Sequence, residues 1–180
     1  SFTGNNAYLT TSGAVNKDVA LGSWMGSEIK LAARVQDRHR IIAGAEYKGH
    51  LHQDQQNYDI DPYASYLDDT RRSRVMAVYF QDEMTIATSL LLNAGVRYDY
   101  YSTFGGTTNP RLALITLPSE RSTVKAIIGT AFRAPNAFEL YYASPNAVGN
   151  PDLKAEQIAT YELVYDQRIG DHLKSSLSGY

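Results

Sequence analysis

The sequence predicts an all-β fold, the antiparallel sheet of a transmembrane β-barrel. Two observations carry this. Apolar and polar residues alternate with period two over most of the chain, and the connections between the alternating runs are short on one side and longer on the other. A helical period does not give the first, and a soluble two-sheet sandwich has no reason to produce the second.

The first run with a clear phase covers residues 24–35, where Met25, Ile29, Leu31 and Val35 oppose Glu28, Lys30 and Arg34. Over residues 39–52 one face collects Ile41, Ala43, Ala45, Tyr47, Gly49 and Leu51, and the other Gly44, Glu46, Lys48, His50 and His52. Over 74–86, Met76, Val78, Phe80, Met84 and Ile86 share a face that Asp82 interrupts, which predicts a place near a strand end for Asp82. Residues 90–101 set Leu90, Leu92, Ala94, Val96, Tyr98 and Tyr100 against Asn93, Gly95, Arg97, Asp99 and Tyr101. Residues 111–117 are too uniformly apolar to assign a face. Over 123–133, Val124, Ala126, Ile128, Thr130 and Phe132 oppose Thr123, Lys125, Gly129 and Arg133. The stretch from Pro151 to Gln157 has the composition of a helix start, with proline first and acids in the first turn. Yet Ala159, Tyr161, Leu163 and Tyr165 separate cleanly from Thr160, Glu162, Asp166 and Arg168, so a strand is expected there.

If the strand ending at Val35 points down, the turns at Asp37-Arg38-His39, Ala87-Thr88-Ser89, Pro118-Ser119-Glu120-Arg121 and Gly170-Asp171 all fall on one side and are short. The other side receives 59–72, 105–110 and 134–156. Outer-membrane barrels have this asymmetry, with short periplasmic turns and longer outside loops. The apolar face then meets lipid and the charged face lines the lumen. That face mixes Ala, Gly and Tyr with Ile and Leu, whereas a dry two-sheet core wants bulkier, interlocking side chains. A one-residue slip in register would turn Arg97 or Lys125 outward, at about 2–4 kcal/mol each near the bilayer centre.

Composition narrows the function. With 17 basic and 19 acidic residues spread along 180, net charge −2, nothing marks a nucleic-acid surface. The absence of cysteine removes disulfide scaffolds, thiolate zinc sites and cysteine nucleophiles. No apolar run approaches the ~20 residues of a membrane helix, but a membrane strand needs only ~9–11. Fourteen tyrosines against one Trp and five Phe suit strands and membrane interfaces. The opening Ser1-Phe2-Thr3-Gly4-Asn5-Asn6 has no basic start and no apolar core, so it is no signal peptide, and both ends read as cut. No nucleophile elbow, phosphate loop or metalloprotease helix is present, so no enzyme, cofactor or resident metal is expected.

At Gly129-Thr130-Ala131-Phe132-Arg133-Ala134-Pro135-Asn136-Ala137-Phe138-Glu139-Leu140-Tyr141-Tyr142 the chain resembles TonB-dependent outer-membrane receptors of the siderophore-receptor type. The resemblance continues through Gly149-Asn150-Pro151-Asp152-Leu153-Lys154-Ala155-Glu156, where Ala155 replaces the family's usual proline, and Tyr161-Glu162-Leu163. Tyr79-Phe80-Gln81-Asp82-Glu83 and Asn93-Ala94-Gly95-Val96-Arg97-Tyr98-Asp99 are similar to its middle strands. It implies that residues 1–180 supply about eight strands of a roughly 22-stranded barrel in the bacterial outer membrane. The plug domain and TonB-contacting segment are expected to lie outside this chain. The implied partners are outer-membrane lipid, TonB through the plug, and a scarce nutrient, most simply a ferric siderophore or related metal chelate. Two rivals are a small complete barrel of structural or adhesive role and a soluble β-sandwich binding module.

Five residues are candidates for ligand contact. His50 and His52 are placed on one face of a strand climbing to a long loop; imidazole binds metals, and the plainer reading is two polar lumen residues. Arg133, Tyr141 and Tyr142 sit at the mouth, where a guanidinium can pair with an anionic chelate and tyrosines can stack on aromatic chelators. Arg133 also belongs to the turn motif, which favours a structural role, and the tyrosines divide evenly between loop packing and ligand contact. Asp59, Asp61, Asp68 and Asp69 cluster in one outside loop, without the spacing of a calcium loop.

Overall fold

The computed structural model describes residues 1–10 and 13–180. The strands are β1 (Phe2–Leu9), β2 (Val15–Val35), β3 (His39–Asp59), β4 (Ala64–Asp69), β5 (Ser73–Ala87), β6 (Leu90–Tyr101), β7 (Gly105–Ser119) and β8 (Ser122–Arg133). A short helix α1 (Ala137–Tyr141) and a two-residue hairpin, β9 (Ala143–Ser144) with β10 (Ala147–Val148), precede β11 (Glu156–Ile169) and β12 (Leu173–Gly179). Ten strands form one antiparallel sheet in the order β1-β2-β3-β5-β6-β7-β8-β11-β12, with β4 paired to β3 above β5. The sheet is a curved wall that does not close, since β1 and β12 each pair on one side only. This removes the small complete barrel.

Register keeps the two faces apart. Leu31, Ala43, Phe80, Val96 and Pro110 lie in one cross-strand row, and Leu112, Ile128 and Tyr161 in another. All point to the convex face, where Leu31 is 69% and Tyr161 71% exposed. Rows on the concave face read Lys30, Gly44, Tyr79, Arg97 and Asn109, or Glu28, Glu46, Ala77, Asp99 and Thr107. Among the described residues the only buried hydrophobics are Ile42, Ala77, Ala113, Leu140 and Tyr142. Among the described residues no second sheet covers the apolar face, the β9–β10 hairpin belonging to the upper loop, which removes the sandwich. The apolar face is a lipid face.

The strand assignments hold, with six adjustments. Residues 105–110 form the start of β7, not a loop, and only 102–104 connect it to β6. β2 begins at Val15 rather than near Trp24, and β1 pairs with its upper part; residues 1–23 mix Gly, Asn and Ser with their apolar positions and show no alternation to read. The 59–72 connection contains β4. Asp82 lies well inside β5 on the convex face, where His39 Nδ1 stands 2.7 Å from its carboxylate; a partner, not a strand end, accommodates it. In β7, Leu112 and Leu114 face lipid and Ala113 faces inward, a choice that an all-apolar run conceals. The sixth concerns the outside connections: one contains the helix α1, which alternation does not register.

β2 and β3 are 21 residues each, about 70 Å at the usual rise. Crossing the bilayer takes ~9–11, so their upper halves stand clear of it. There the ladder steps from Trp24–His50 to Ser23–His52, leaving Leu51 as an extra residue in β3. This bulge reverses the phase of β3: below it even-numbered residues point inward, and above it Gln53, Gln55, Asn57 and Asp59 do.

The facing of each strand is testable in the full-length receptor. Val96→Arg on the lipid face is expected to cost about 2–4 kcal/mol in reversible denaturant unfolding from lipid. Asn93→Arg, three residues away on the lumen face of the same strand, should stay within about 0.5 kcal/mol. Equal costs would contradict the assignment.

Candidate functional site

The site lies at the upper rim, where the loop after β8 folds inward. Arg133 ends β8 and sits opposite Glu156, the first residue of β11. Its Nε and Nη2 donate to Glu156 at 3.0 and 2.8 Å, and its Nη1 donates to both oxygens of Glu139 at 2.8 and 3.0 Å. Glu139 Oε2 accepts the Asn136 N–H at 2.9 Å, while Asn136 Oδ1 accepts the Glu139 N–H at 2.9 Å. This reciprocal capping box starts α1. The helix has five residues, too few to hold itself. The Asn136 amide and then the Arg133 guanidinium hold the Glu139 carboxyl below its ordinary range. At the far end of the helix, the Tyr142 and Glu139 carbonyls accept from the Gly149 and Asn150 N–H groups at 2.6 and 2.9 Å. Any side chain at 149 would stand 2.7 Å from the Tyr141 nitrogen, so only glycine fits.

The loop then docks on strands far from it in sequence. Asn16 and Asn57 are 1% and 0% exposed on the inner face of β2 and β3. Asn57 Nδ2 donates to Asn16 Oδ1 and Asp18 Oδ1 at 2.6 and 2.7 Å, and Asn16 Nδ2 donates to Asp59 at 2.8 Å. The Tyr142 hydroxyl donates to the same Asp18 oxygen at 2.6 Å and accepts from Asn57 at 3.1 Å. Burial and then Asp18 push the Tyr142 phenol above its ordinary pKa, so it stays protonated. Tyr66 closes the cluster on the hairpin side, donating to Asp59 at 2.6 Å.

Beneath the loop lies a cavity of about 350 Å³ against the inner wall of β3, β5 and β6, lined by Lys48, His50, Gln53, Tyr101, Leu140 and Tyr141 among others. Arg97 also lines it, held by Glu46 at 2.7 Å and by Asp99. The Lys48 ammonium sits 4.5 Å over the ring of Trp24, which the register turns inward beside His50.

The structure brings His50 and Tyr141 to this cavity. The Tyr141 ring carries the Arg71 guanidinium at 3.6 Å. His52 does not join them: the Leu51 bulge turns it to the opposite face, where its Nδ1 lies 3.0 Å from Asp54. Alternation counted straight through the bulge put the two histidines together. Arg133 is outside the lining, and Tyr142 is buried with its hydroxyl bonded. Asp59, Asp68 and Asp69 are partnered by Asn16 and Tyr66, by Gln56, and by Arg71. Among the described residues no cluster of three or more His, Cys, Asp or Glu is placed to hold a metal. Trp24, Lys48, Arg97 and Tyr101 were not named as ligand contacts in the sequence; their signal is a lumen-facing position, which for Trp24, Lys48 and Tyr101 is at the level of His50 in the wall.

A curved wall, apolar outside and charged inside, with a loop folded over its upper rim, is a piece of an outer-membrane β-barrel. The family model described as TonB dependent receptor-like, beta-barrel, matches residues 1–180, and the chain belongs to that family, one of transport receptors rather than of enzymes. It is 31% identical over 110 residues to the iron-regulated outer membrane virulence protein of Vibrio cholerae serotype O1, covering 58% of this chain and 17% of that protein. It is 36% identical over 75 residues to the ferric enterobactin receptor PirA of Pseudomonas aeruginosa, covering 42% and 10%. Among solved structures, the siderophore receptor PirA from Pseudomonas aeruginosa superposes with a TM-score of 0.68 at 24% identity, over 92% of this chain and 32% of that one. A mutant ferric enterobactin receptor PfeA in complex with enterobactin, from the same organism, gives 0.69 at 20%, over 98% and 30%. The chain thus spans less than a third of each of these structures.

The clasp has a pH signature. Glu139 is depressed when folded, so its contribution is complete above the ordinary value of 4.5 and is lost as pH falls through the lower folded value. Amide protection of residues 137–142, corrected for intrinsic exchange, should be flat above about pH 5 and fall below that. In Arg133→Ala the fall should begin at the same pH but be smaller and complete at a higher pH, because the folded value then lies nearer 4.5. Asn136→Ala should lower protection at all pH by about 1 kcal/mol, roughly fivefold. Unchanged profiles in both variants would remove the clasp as the loop's anchor.

Proposed function

We propose that residues 1–180 are a wall segment of an outer-membrane receptor that imports a ferric siderophore or related metal chelate, with energy delivered by TonB through a plug outside these residues. The observation that carries the reading is the match of the receptor-barrel family along the whole chain. The rim geometry supports it. The cavity opens on the lumen side, and its lining offers what an anionic aromatic chelate requires: the Lys48 ammonium, the His50 imidazole, and the rings of Tyr101 and Tyr141. In this reading His50 and Tyr141 touch the ligand, while Arg133 and Tyr142 shape the loop. The relatives named for ferric enterobactin and for siderophores supply the ligand class.

The test is radioactive-iron uptake by cells that lack their own siderophore receptors and express the full-length protein, with ferric enterobactin as the probe. Uptake is expected in cells with TonB and absent in cells without it. Tyr141→Ala should weaken probe binding about five- to tenfold, as loss of one aromatic contact implies, roughly 1 kcal/mol or slightly more. Absence of binding to any of a panel of ferric siderophores, or uptake indifferent to TonB, would overturn the proposal.

A further inference from the structure

One group at the rim lies outside the lining of the cavity and is nonetheless buried and bonded at its hydroxyl. Tyr142 is 8% exposed, its hydroxyl donates to Asp18 and accepts from Asn57, and Asp18 is 124 residues away in sequence. Its ring stacks on Phe138 with centroids 4.2 Å apart. The next residue back, Tyr141, points the other way and lines the cavity. The loop leaves the wall at β8 and reaches β2 and β3 across β7, β6 and β5, about four strand spacings or roughly 20 Å of wall. At its β8 end the Arg133 clasp holds it. At its far end the side-chain hydrogen bonds from the loop to β2 and β3 come from the Tyr142 hydroxyl alone, among the described residues.

We infer that Tyr142 is a positioning residue: by latching α1 to Asp18 and Asn57 it fixes Tyr141 over the cavity in advance of ligand. The inference rests on the ligand reading above for its consequence, but not for the latch itself. Adjacent residues on a short, capped helix cannot move independently. If the Tyr142 hydroxyl lets go, the Phe138–Tyr142 stack and the Arg71–Tyr141 contact stay, but the loop loses its side-chain hydrogen bonds to β2 and β3 and Tyr141 is held less firmly. A ligand then has to order the loop as it binds, which lowers affinity. The Asn16, Asn57 and Asp59 cluster is what makes the latch point rigid. Each of these groups is buried and bonded to another, so Asp18 and Asn57 present their free positions in one direction.

Two readouts on the full-length receptor in detergent separate the latch from its consequence. Tyr142→Phe keeps the ring and removes the hydroxyl; Tyr66→Phe removes a phenol from the same cluster without releasing the loop. The expected result is about tenfold faster amide exchange over 137–142 in Tyr142→Phe, with the wall strands unchanged, and no change over 137–142 in Tyr66→Phe. Asp18→Ala combined with Tyr142→Phe should add little over 137–142 to Tyr142→Phe, because the hydroxyl that reaches Asp18 is already gone. Probe affinity for ferric enterobactin should fall about three- to tenfold in Tyr142→Phe. Unchanged exchange in Tyr142→Phe, or an equal rise in Tyr66→Phe, overturns the latch whether or not the probe binds. Faster exchange with unchanged affinity overturns the positioning role. If the parent protein binds no ferric siderophore, the ligand reading fails, and the positioning role with it, while the exchange arm still decides the latch.

Discussion

Everything in this structure depends on one constraint, the register of the antiparallel ladder across a wall that meets lipid on one side and water on the other. Because side chains alternate, each strand has two registers that differ in which set it gives to the bilayer. From β3 to β8 that choice repeats through consecutive rows, from Ala43 to Phe80 to Val96 outside and from Gly44 to Tyr79 to Arg97 inside. A single misaligned strand would place a guanidinium or a carboxylate in hydrocarbon. The rows therefore reinforce one another, and the apolar belt is the result of pairing rather than of any one residue's preference. Asp82 is the exception that tests the rule, and His39 beside it gives one carboxylate oxygen a hydrogen-bond partner.

The inner face solves a different problem. Glu28 and Glu46 stand directly opposite each other on β2 and β3, an arrangement that repels. Two side chains from farther along the wall relieve it. The Tyr79 hydroxyl donates to Glu28 at 2.5 Å, and Arg97 reaches Glu46 at 2.7 Å. Tyr79 can reach because it lies across Gly44, where any Cβ would stand 2.3 Å from its ring. The same logic appears at Arg34 and Arg40, opposite each other, with Glu83 bonded to Arg40. Both like-charge pairs are thus answered by side chains from other strands, which a solvated face tolerates and a dry core would not.

What could be read from the sequence divides along the same line. Strand faces were legible because register and alternation are local, and the lower halves of β3, β6 and β8 came out as assigned. The motif from Phe132 to Glu156 could be matched as a pattern, but its physical content could not. Arg133, Asn136, Glu139, Gly149 and Glu156 are the members of one clasp, and only the fold shows them touching. The Asn136-to-Glu139 spacing of a capping box is the visible sign of α1, inside a stretch that the alternation leaves as an outside loop. The Leu51 bulge had no sign at all. It moved His52 off the face of His50, and no pattern of period two announces where a period slips.

The two adjacent tyrosines mark the limit of what sequence can assign. Tyr141 and Tyr142 are the same residue type in the same loop, and composition gives no ground for separating them. Their environments separate them completely, because successive residues at the end of a short helix project in different directions. One lies against the cavity with Arg71 on its ring, and the other has its hydroxyl buried among Asp18 and Asn57. A lone tyrosine could not do both, since a phenol fixed at its hydroxyl has its ring orientation fixed as well. With two, the bond energy of the latch is spent on orienting a neighbour that keeps its own hydroxyl free of that cluster. A binding loop gains from this arrangement because ordering it in advance removes a cost that the ligand would otherwise meet. The same separation of anchoring from contact appears at Arg133 and Lys48. Arg133 makes ion pairs with two carboxylates and holds the loop. The Lys48 ammonium, cushioned on Trp24, is turned to the lumen with no carboxylate bonded to it among the described ion pairs.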